Sequence, residues 1–196
     1  ISPDETLRIV QELYEKKMTT YPRTDARVLS TAVAKEIHKN IGGLRNYALA
    51  APFAKEVLEQ GTYKNIAKTR YVNDKQITDH YAIIPTGQGL NNLAGLAPTA
   101  AKVYEVIVRR FLSIFYPPAV YQKFSLTLQV KEESFFASFK VLIQEGYLKV
   151  TDFSFKKENT VPKEDKENEN ESADEKCDAE LTNLLTHLKK GDTLSV

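Results

Sequence analysis

Within the stretch "TTYPRTDARVLS", a tyrosine and an arginine stand two positions apart on either side of a proline, Tyr21 and Arg23 around Pro22. Proline disfavours the helical region for the residue before it, so Tyr21 is expected at a stiff, extended corner. If the run stays extended, Tyr21 and Arg23 project to the same side. A phenol beside a guanidinium is a workable device for phosphoryl chemistry. With an ordinary pKa of about 10 a tyrosine is a poor nucleophile at neutral pH, and a fixed cation nearby favours its ionised form. The guanidinium can also grip a phosphate through two parallel hydrogen bonds and stabilise charge that grows during transfer. A plainer role suits the same residues: tyrosines often pack half-buried with a wet hydroxyl, and surface arginines face water.

The elements that must hold this corner can be read from the pattern around it. Ser2-Pro3-Asp4-Glu5 has the form of a helix start, with serine at the N-cap, proline at the first helical position and glutamate at the third. Leu7, Val10, Tyr14 and Met18 follow at helical spacing, and Lys16 and Lys17 close the pattern with cations. A second helix is expected from about Thr31 to Asn40, ending at Gly42-Gly43, and a third within 45–60 before Gly61. The stretch from Asn65 to Gly89 has no clear period. The segment "TAAKVYEVIVRRFLSIFYPP" predicts a longer helix whose apolar face carries Val103, Val106, Ile107, Phe111 and Ile114, stopped by Pro117-Pro118. Beyond the prolines the period becomes two. Phe124, Leu126, Leu128 and Val130, then Phe135, Ala137, Phe139 and Val141, alternate with polar residues as half-buried strands do. "YLKV" follows Gly146, and a short helix around Leu181–Leu188 precedes a final strand, "TLSV". The expected fold class is α+β, a helical part at 1–117 followed by a mainly antiparallel β portion at 118–196.

Composition bounds the function. The chain of 196 residues has room for one sizeable domain or two small ones. No apolar run approaches the roughly 20 residues that cross a bilayer, so no membrane partner is expected. No secretory signal is legible, and the single cysteine, Cys177, fits a reducing compartment, the cytoplasm. The net charge of +1 conceals a segregation: residues 156–180 hold five lysines against ten acidic residues, which leaves the remainder mildly basic. That polar stretch lacks the apolar side chains to offset its ordering entropy and is read as a mobile loop. Lys35, Lys102, Arg109 and Arg110 are candidates to line a groove that tracks a nucleic-acid backbone, although a solvated helix face would also explain each.

Several motifs in order carry a resemblance. "LYEKKMTTYPRTDARVLS" resembles the active-site segment of the type IA DNA topoisomerases, particularly the topoisomerase III branch. "ITDHYAIIPTG" is similar to the family's histidine motif, "YEVIVRRFLSIFYPPA" to the helix that leaves the tyrosine domain, and "FFASFKVLIQEGYLKV" with "LKKGDTLSV" to strands of the hinge domain. The resemblance implies that Tyr21 attacks a phosphodiester of single-stranded DNA, leaving a 5′-phosphotyrosyl bond and a free 3′-hydroxyl, while Arg23 holds the scissile phosphate. It makes His80 the histidine near that phosphate, able to donate a hydrogen bond or pass a proton. Thr24 and Asp25 resemble residues that shape the pocket behind the tyrosine and contact DNA. Ala26 and Tyr81 depart from the family pattern, which commonly has serine and glutamate there.

The resemblance further implies Mg2+ in the intact enzyme, bound by acidic residues of a domain N-terminal to this segment. No such acidic motif precedes Tyr21. The chain is thus expected to be a fragment: the tyrosine domain with part of the hinge, binding no metal itself and unable alone to relax supercoiled DNA. Its unpaired hinge-strand edge is expected to permit self-association. Two other readings stay open, a noncatalytic single-stranded DNA-binding module in which Tyr21 stacks on a base, and a structural platform in a mobile-element protein.

Overall fold

The computed structural model describes residues 1–155, 187 and 191–193. The polar loop at 156–180 lies outside the described residues, as do the short helix near 181–188 and the terminal strand, apart from His187 and Thr193. The chain divides at the two prolines. One compact unit comprises Ile1–Pro117 with the described part of Tyr147–Glu158, and the second includes Pro118–Gly146. The architecture is α+β, with helices and a two-stranded antiparallel sheet.

Four α-helices build the first unit: α1 (Pro3–Glu15), α2 (Thr31–Gly43), α3 (Ala51–Gln60) and α4 (Pro98–Ser113). Short 3-10 turns join them. Local sequence sets most of the ends. The Ser2 hydroxyl accepts from the Glu5 N–H at 3.1 Å, and Ser30 accepts from Val33 N–H at 3.1 Å to cap α2. Each such cap contributes about 1 kcal/mol. Gly61 ends α3 in the left-handed conformation at φ 66°.

The core is shared by all four helices, with Leu13, Ile37, Ile41, Leu44, Val57, Tyr104, Val108 and Leu112 essentially sealed from solvent. Two stripes differ from those the spacing predicts. In α1 the buried residues are Ile9, Val10 and Leu13, whereas Leu7 and Tyr14 are about two-fifths exposed. Met18 is buried from outside the helix, because α1 ends at Glu15 and Lys17 turns left-handed at φ 59°. In α4 the packed line is Ala100, Tyr104, Val108 and Leu112, and Val106 faces outward. Both helices sit against partners on more than one side, so the apolar arc is rotated by tertiary packing rather than read directly from period.

In the second unit, β1 (Val120–Val130) pairs antiparallel with β2 (Glu133–Gln144). Phe124 lies opposite Phe139, Leu126 opposite Ala137 and Leu128 opposite Phe135, so the two alternating patterns share one face in register. The Phe124 and Phe139 rings stack at 5.3 Å. Only Phe124 and Val141 on this face are buried, while Phe135 is 57% exposed. The strands are therefore less covered than the half-buried pattern predicts.

The segment after Gly146, expected with the β-rich portion, instead forms a 3-10 helix, Gly146–Val150, and residues 147–155 belong to the first unit. Tertiary bonds explain the departure. Tyr147 N–H donates to Pro117 C=O at 2.9 Å, Lys149 Nζ pairs with Glu56 at 2.7 Å, and Val150 is fully buried. Among the described residues no helix is long and apolar enough to cross a membrane.

Candidate active site

Two loops distant in sequence are zipped together edge to edge. Thr19 and Pro85 form an antiparallel bridge, Thr20 N–H donates to Ile84 C=O at 3.0 Å, and Thr86 N–H donates to Met18 C=O at 3.0 Å. The Thr20 hydroxyl adds two bonds, donating to Ala82 C=O at 3.3 Å and accepting from Ile84 N–H at 2.9 Å. Threonines before Tyr21 thus serve as strand-like staples, which suits their extended preference. Close backbone approach needs glycine on the other loop. Gly89, at φ 68°, lies so near Lys16 C=O that a Cβ would collide with it, and Gly87, at φ 76°, is pressed against Asn40 C=O.

This zip carries Tyr21 and His80 into contact. Their ring centroids are 4.6 Å apart and tilted by 45°. Tyr14, from the end of α1, also meets the Tyr21 ring, edge-on at 5.3 Å and 80°. The phenol ring thus packs against two aromatic groups, Tyr14 and His80. Tyr14, Tyr21, His80 and Tyr81 line an open cleft of about 580 Å³. Burial raises the Tyr81 phenol above its ordinary range, so this neighbour stays protonated beside Tyr21.

The remaining residues singled out from sequence are distributed less simply. The expected extended run through Arg23 does not form: Thr24 N–H closes onto Pro22 C=O at 3.1 Å, and the chain bends at Pro22. The cause is tertiary. Thr24 Oγ1 donates to His80 C=O at 2.8 Å and accepts from Ala26 N–H at 3.0 Å, which pulls the turn toward the histidine loop. Arg23 and Asp25 are exposed and enter no ion pair among the described residues. Arg23 therefore keeps its guanidinium available to an anion.

Of the four groove cations, Arg109 is removed from that role. It is 7% exposed, its Nε sits 2.6 Å from Glu105 Oε1, and it donates to Val150 C=O at 3.0 Å. A buried guanidinium needs these partners, and they hold the 147–155 segment on α4. Lys35, Lys102 and Arg110 are exposed. His38 lies near Tyr63, with centroids 6.3 Å apart, and His187 is exposed.

Tyr14 escaped the sequence reading as a site residue because its helical spacing assigned it to the core. Its place at the edge of the buried Ile9–Val10–Leu13 stripe is the signal that would have exposed it. Among the described residues no group of three His, Cys, Asp or Glu side chains converges as a metal site.

Comparison with known proteins adds to this geometry. A family model described as DNA topoisomerase matches residues 1–195. The DNA topoisomerase 3 of Bacillus cereus is 34% identical over 198 residues, which covers 100% of this chain and 24% of that protein. The namesake from Bacillus licheniformis is 34% identical over 196 residues, with the same coverage. That of Bacillus subtilis is 33% identical over 196 residues, again across 24% of its length. The chain spans about a quarter of the length of these relatives.

Proposed function

The chain belongs to the DNA topoisomerase family, on its type IA, topoisomerase III branch, and we propose that it supplies the strand-cleaving tyrosine of a larger enzyme. In this reading Tyr21 Oη gives up its proton, to His80 or to solvent, and bonds to the phosphorus of a single-stranded DNA phosphodiester. The bond from phosphorus to the 3′ oxygen breaks, and that oxygen takes up a proton to become a 3′-hydroxyl. The 5′-phosphotyrosyl link conserves the phosphodiester's energy, so the 3′-hydroxyl can reverse the step after a strand has passed, without ATP. Arg23 grips the scissile phosphate with its guanidinium, and Thr24 and Asp25 shape the pocket and its DNA contacts. His80 donates a hydrogen bond or passes a proton beside the phenol.

The observation that carries this reading is the 4.6 Å contact of Tyr21 with His80 inside an open cleft, held by a main-chain zip that leaves both side chains at the surface of the loops. Magnesium belongs to the intact enzyme and to acidic residues outside this chain, so the chain alone does not relax supercoiled DNA. The setting is the cytoplasm. Each hairpin strand has an outer edge without a partner strand among the described residues, through which two copies can pair; sedimentation across a concentration series reads that association.

The test uses the intact parent mixed with a labelled single-stranded oligonucleotide, rapidly denatured and digested for peptide mass spectrometry. A DNA adduct on the Tyr21 peptide, absent in Tyr21→Phe, is the expected result. Salt-dependent binding without any adduct would replace this reading with a noncatalytic single-strand binder.

A further inference from the structure

A second cavity opens next to the proposed site. It measures about 90 Å³ and is lined by Arg27, Tyr71, Arg110 and an apolar wall that includes Leu29, Ile84 and Phe111. Four segments meet there: the loop that follows Tyr21, the stretch that carries Tyr71, the loop that follows His80, and the end of α4. The cavity adjoins the cleft through Ala82 and Ile84, both bonded to Thr20, which lines the cleft. Ala82 lines the cavity, donates its N–H to Val28 C=O at 2.9 Å, and accepts from the hydroxyl of Thr20, the residue before Tyr21.

The charge at this cavity is uncompensated. No carboxylate lines it, and neither Arg27 nor Arg110 enters an ion pair among the described residues. Both arginines are exposed. A third guanidinium, that of Arg70, sits 5.2 Å over the ring of Tyr71, which lines the cavity. Two cations from separate elements that line one cavity make it favourable for an anion. The volume is well below the roughly 300 Å³ at which pockets begin to enclose whole small molecules, so the occupant is a group rather than a molecule. Guanidinium forks match the paired oxygens of a phosphate.

We propose that Arg27 and Arg110 form a second phosphate site that grips the backbone of the same single strand at a phosphodiester beside the one placed at Tyr21. The inference rests on the single-stranded DNA reading of the site and adds a residue pair to it. Its consequence is positional: the strand is held at two points, so the phosphate at Tyr21 is located by its neighbour as well as by Arg23.

The experiment measures binding of a fluorescent single-stranded oligonucleotide to this chain in the Tyr21→Phe background, across a salt series, for Arg27→Gln, Arg110→Gln and the double variant. Each single variant is expected to lower affinity about tenfold, the loss of one charge-assisted contact. The slope of log affinity against log salt should become shallower by about 0.7, the value for one phosphate of a single strand. Because both arginines hold one phosphate, the double variant should change the slope no more than either single variant. An oligonucleotide with one neutral methylphosphonate should reproduce that loss at a single position and be insensitive to the double variant. Unchanged affinity and slope would overturn the proposal, and so would additive slope changes, which mean two independent contacts. Protection by inorganic phosphate with no effect on oligonucleotide binding would overturn the strand assignment. Arg27→Lys and Arg110→Lys, which keep charge without the fork, guard against misfolding and should recover the slope but only part of the affinity. Since cleavage is absent throughout, failure here leaves the covalent adduct test of Tyr21 untouched, and failure of that test leaves this binding result standing.

Discussion

The hydroxyl of Thr24 donates to the backbone carbonyl of His80 at 2.8 Å, tying the turn after Tyr21 to the base of the histidine. Thr24→Val removes this bond and the one accepted from Ala26 N–H while keeping the shape. The expected cost in stability is about 1 kcal/mol. Adduct formation by the intact parent should slow by at least about tenfold, because misplacement by a fraction of an ångström is amplified in the chemical step. Thr24→Ser should recover most of the rate in a single-turnover assay. Equal rates for valine and serine would show that the tie does not position the site.

Gly89 is the tightest point of the zip. Its φ of 68° and the collision a Cβ would make with Lys16 C=O leave no room for alanine. Gly89→Ala should destabilise the chain by about 2 kcal/mol or more, from left-handed strain together with backbone displacement. The loss should appear as a lower denaturation midpoint, whereas Gly95→Ala, where the added Cβ meets open space, should stay near wild type.

Arg109 gives a separable test of structure against binding. Arg109→Leu leaves Glu105 buried without its cation and should cost about 3 kcal/mol. The Ser154 hydroxyl and N–H still bond Glu105, which keeps the loss toward the lower end of the range for broken buried pairs. At matched folded fraction the salt slope for single-stranded DNA should not change. A shallower slope would return Arg109 to the binding surface.

Acid should loosen the attachment of residues 147–155. The Lys149 ammonium, hydrogen-bonded to Glu56, holds that carboxyl below its ordinary range, with the Tyr116 hydroxyl assisting against partial burial. A depressed carboxyl contributes stability that is fully present above its unfolded pKa and is lost as pH falls through the folded value. Thermal midpoints should therefore drop from about pH 5 downward, and Glu56→Gln should lie below wild type at neutral pH and converge with it in acid. Parallel curves for the two proteins would rule out this contribution.

Local chemistry made much of the fold legible. The caps at Ser2 and Ser30, the stop at Gly61 and the prolines after α4 act through bonds within a few residues, so their outcome is written in the local order of side chains. The hairpin was legible for a similar reason: a period of two keeps each strand's apolar residues on one face, and the short turn at Lys131 and Glu132 sets the register that puts Phe124 opposite Phe139 and Leu128 opposite Phe135. The orientation of α1 and α4 was less so. An apolar arc several residues wide fits more than one rotation, and only the neighbours decide that Tyr104 is sealed and Val106 exposed.

For function, the sequence by itself determined the family and the side chains proposed to react: a tyrosine before proline, an arginine two residues on, and a histidine motif in the right order. Side-chain type and motif order are properties of the chain and need no fold to be read. Tertiary structure alone decided that His80 meets Tyr21, that Tyr14 also packs on that ring, that the run through Arg23 bends, and that Arg109 is buried while Arg27 and Arg110 share a cavity. Each of these is a contact between segments far apart in sequence. Such contacts depend on how loops pack and where glycines permit close approach, and no local preference encodes that.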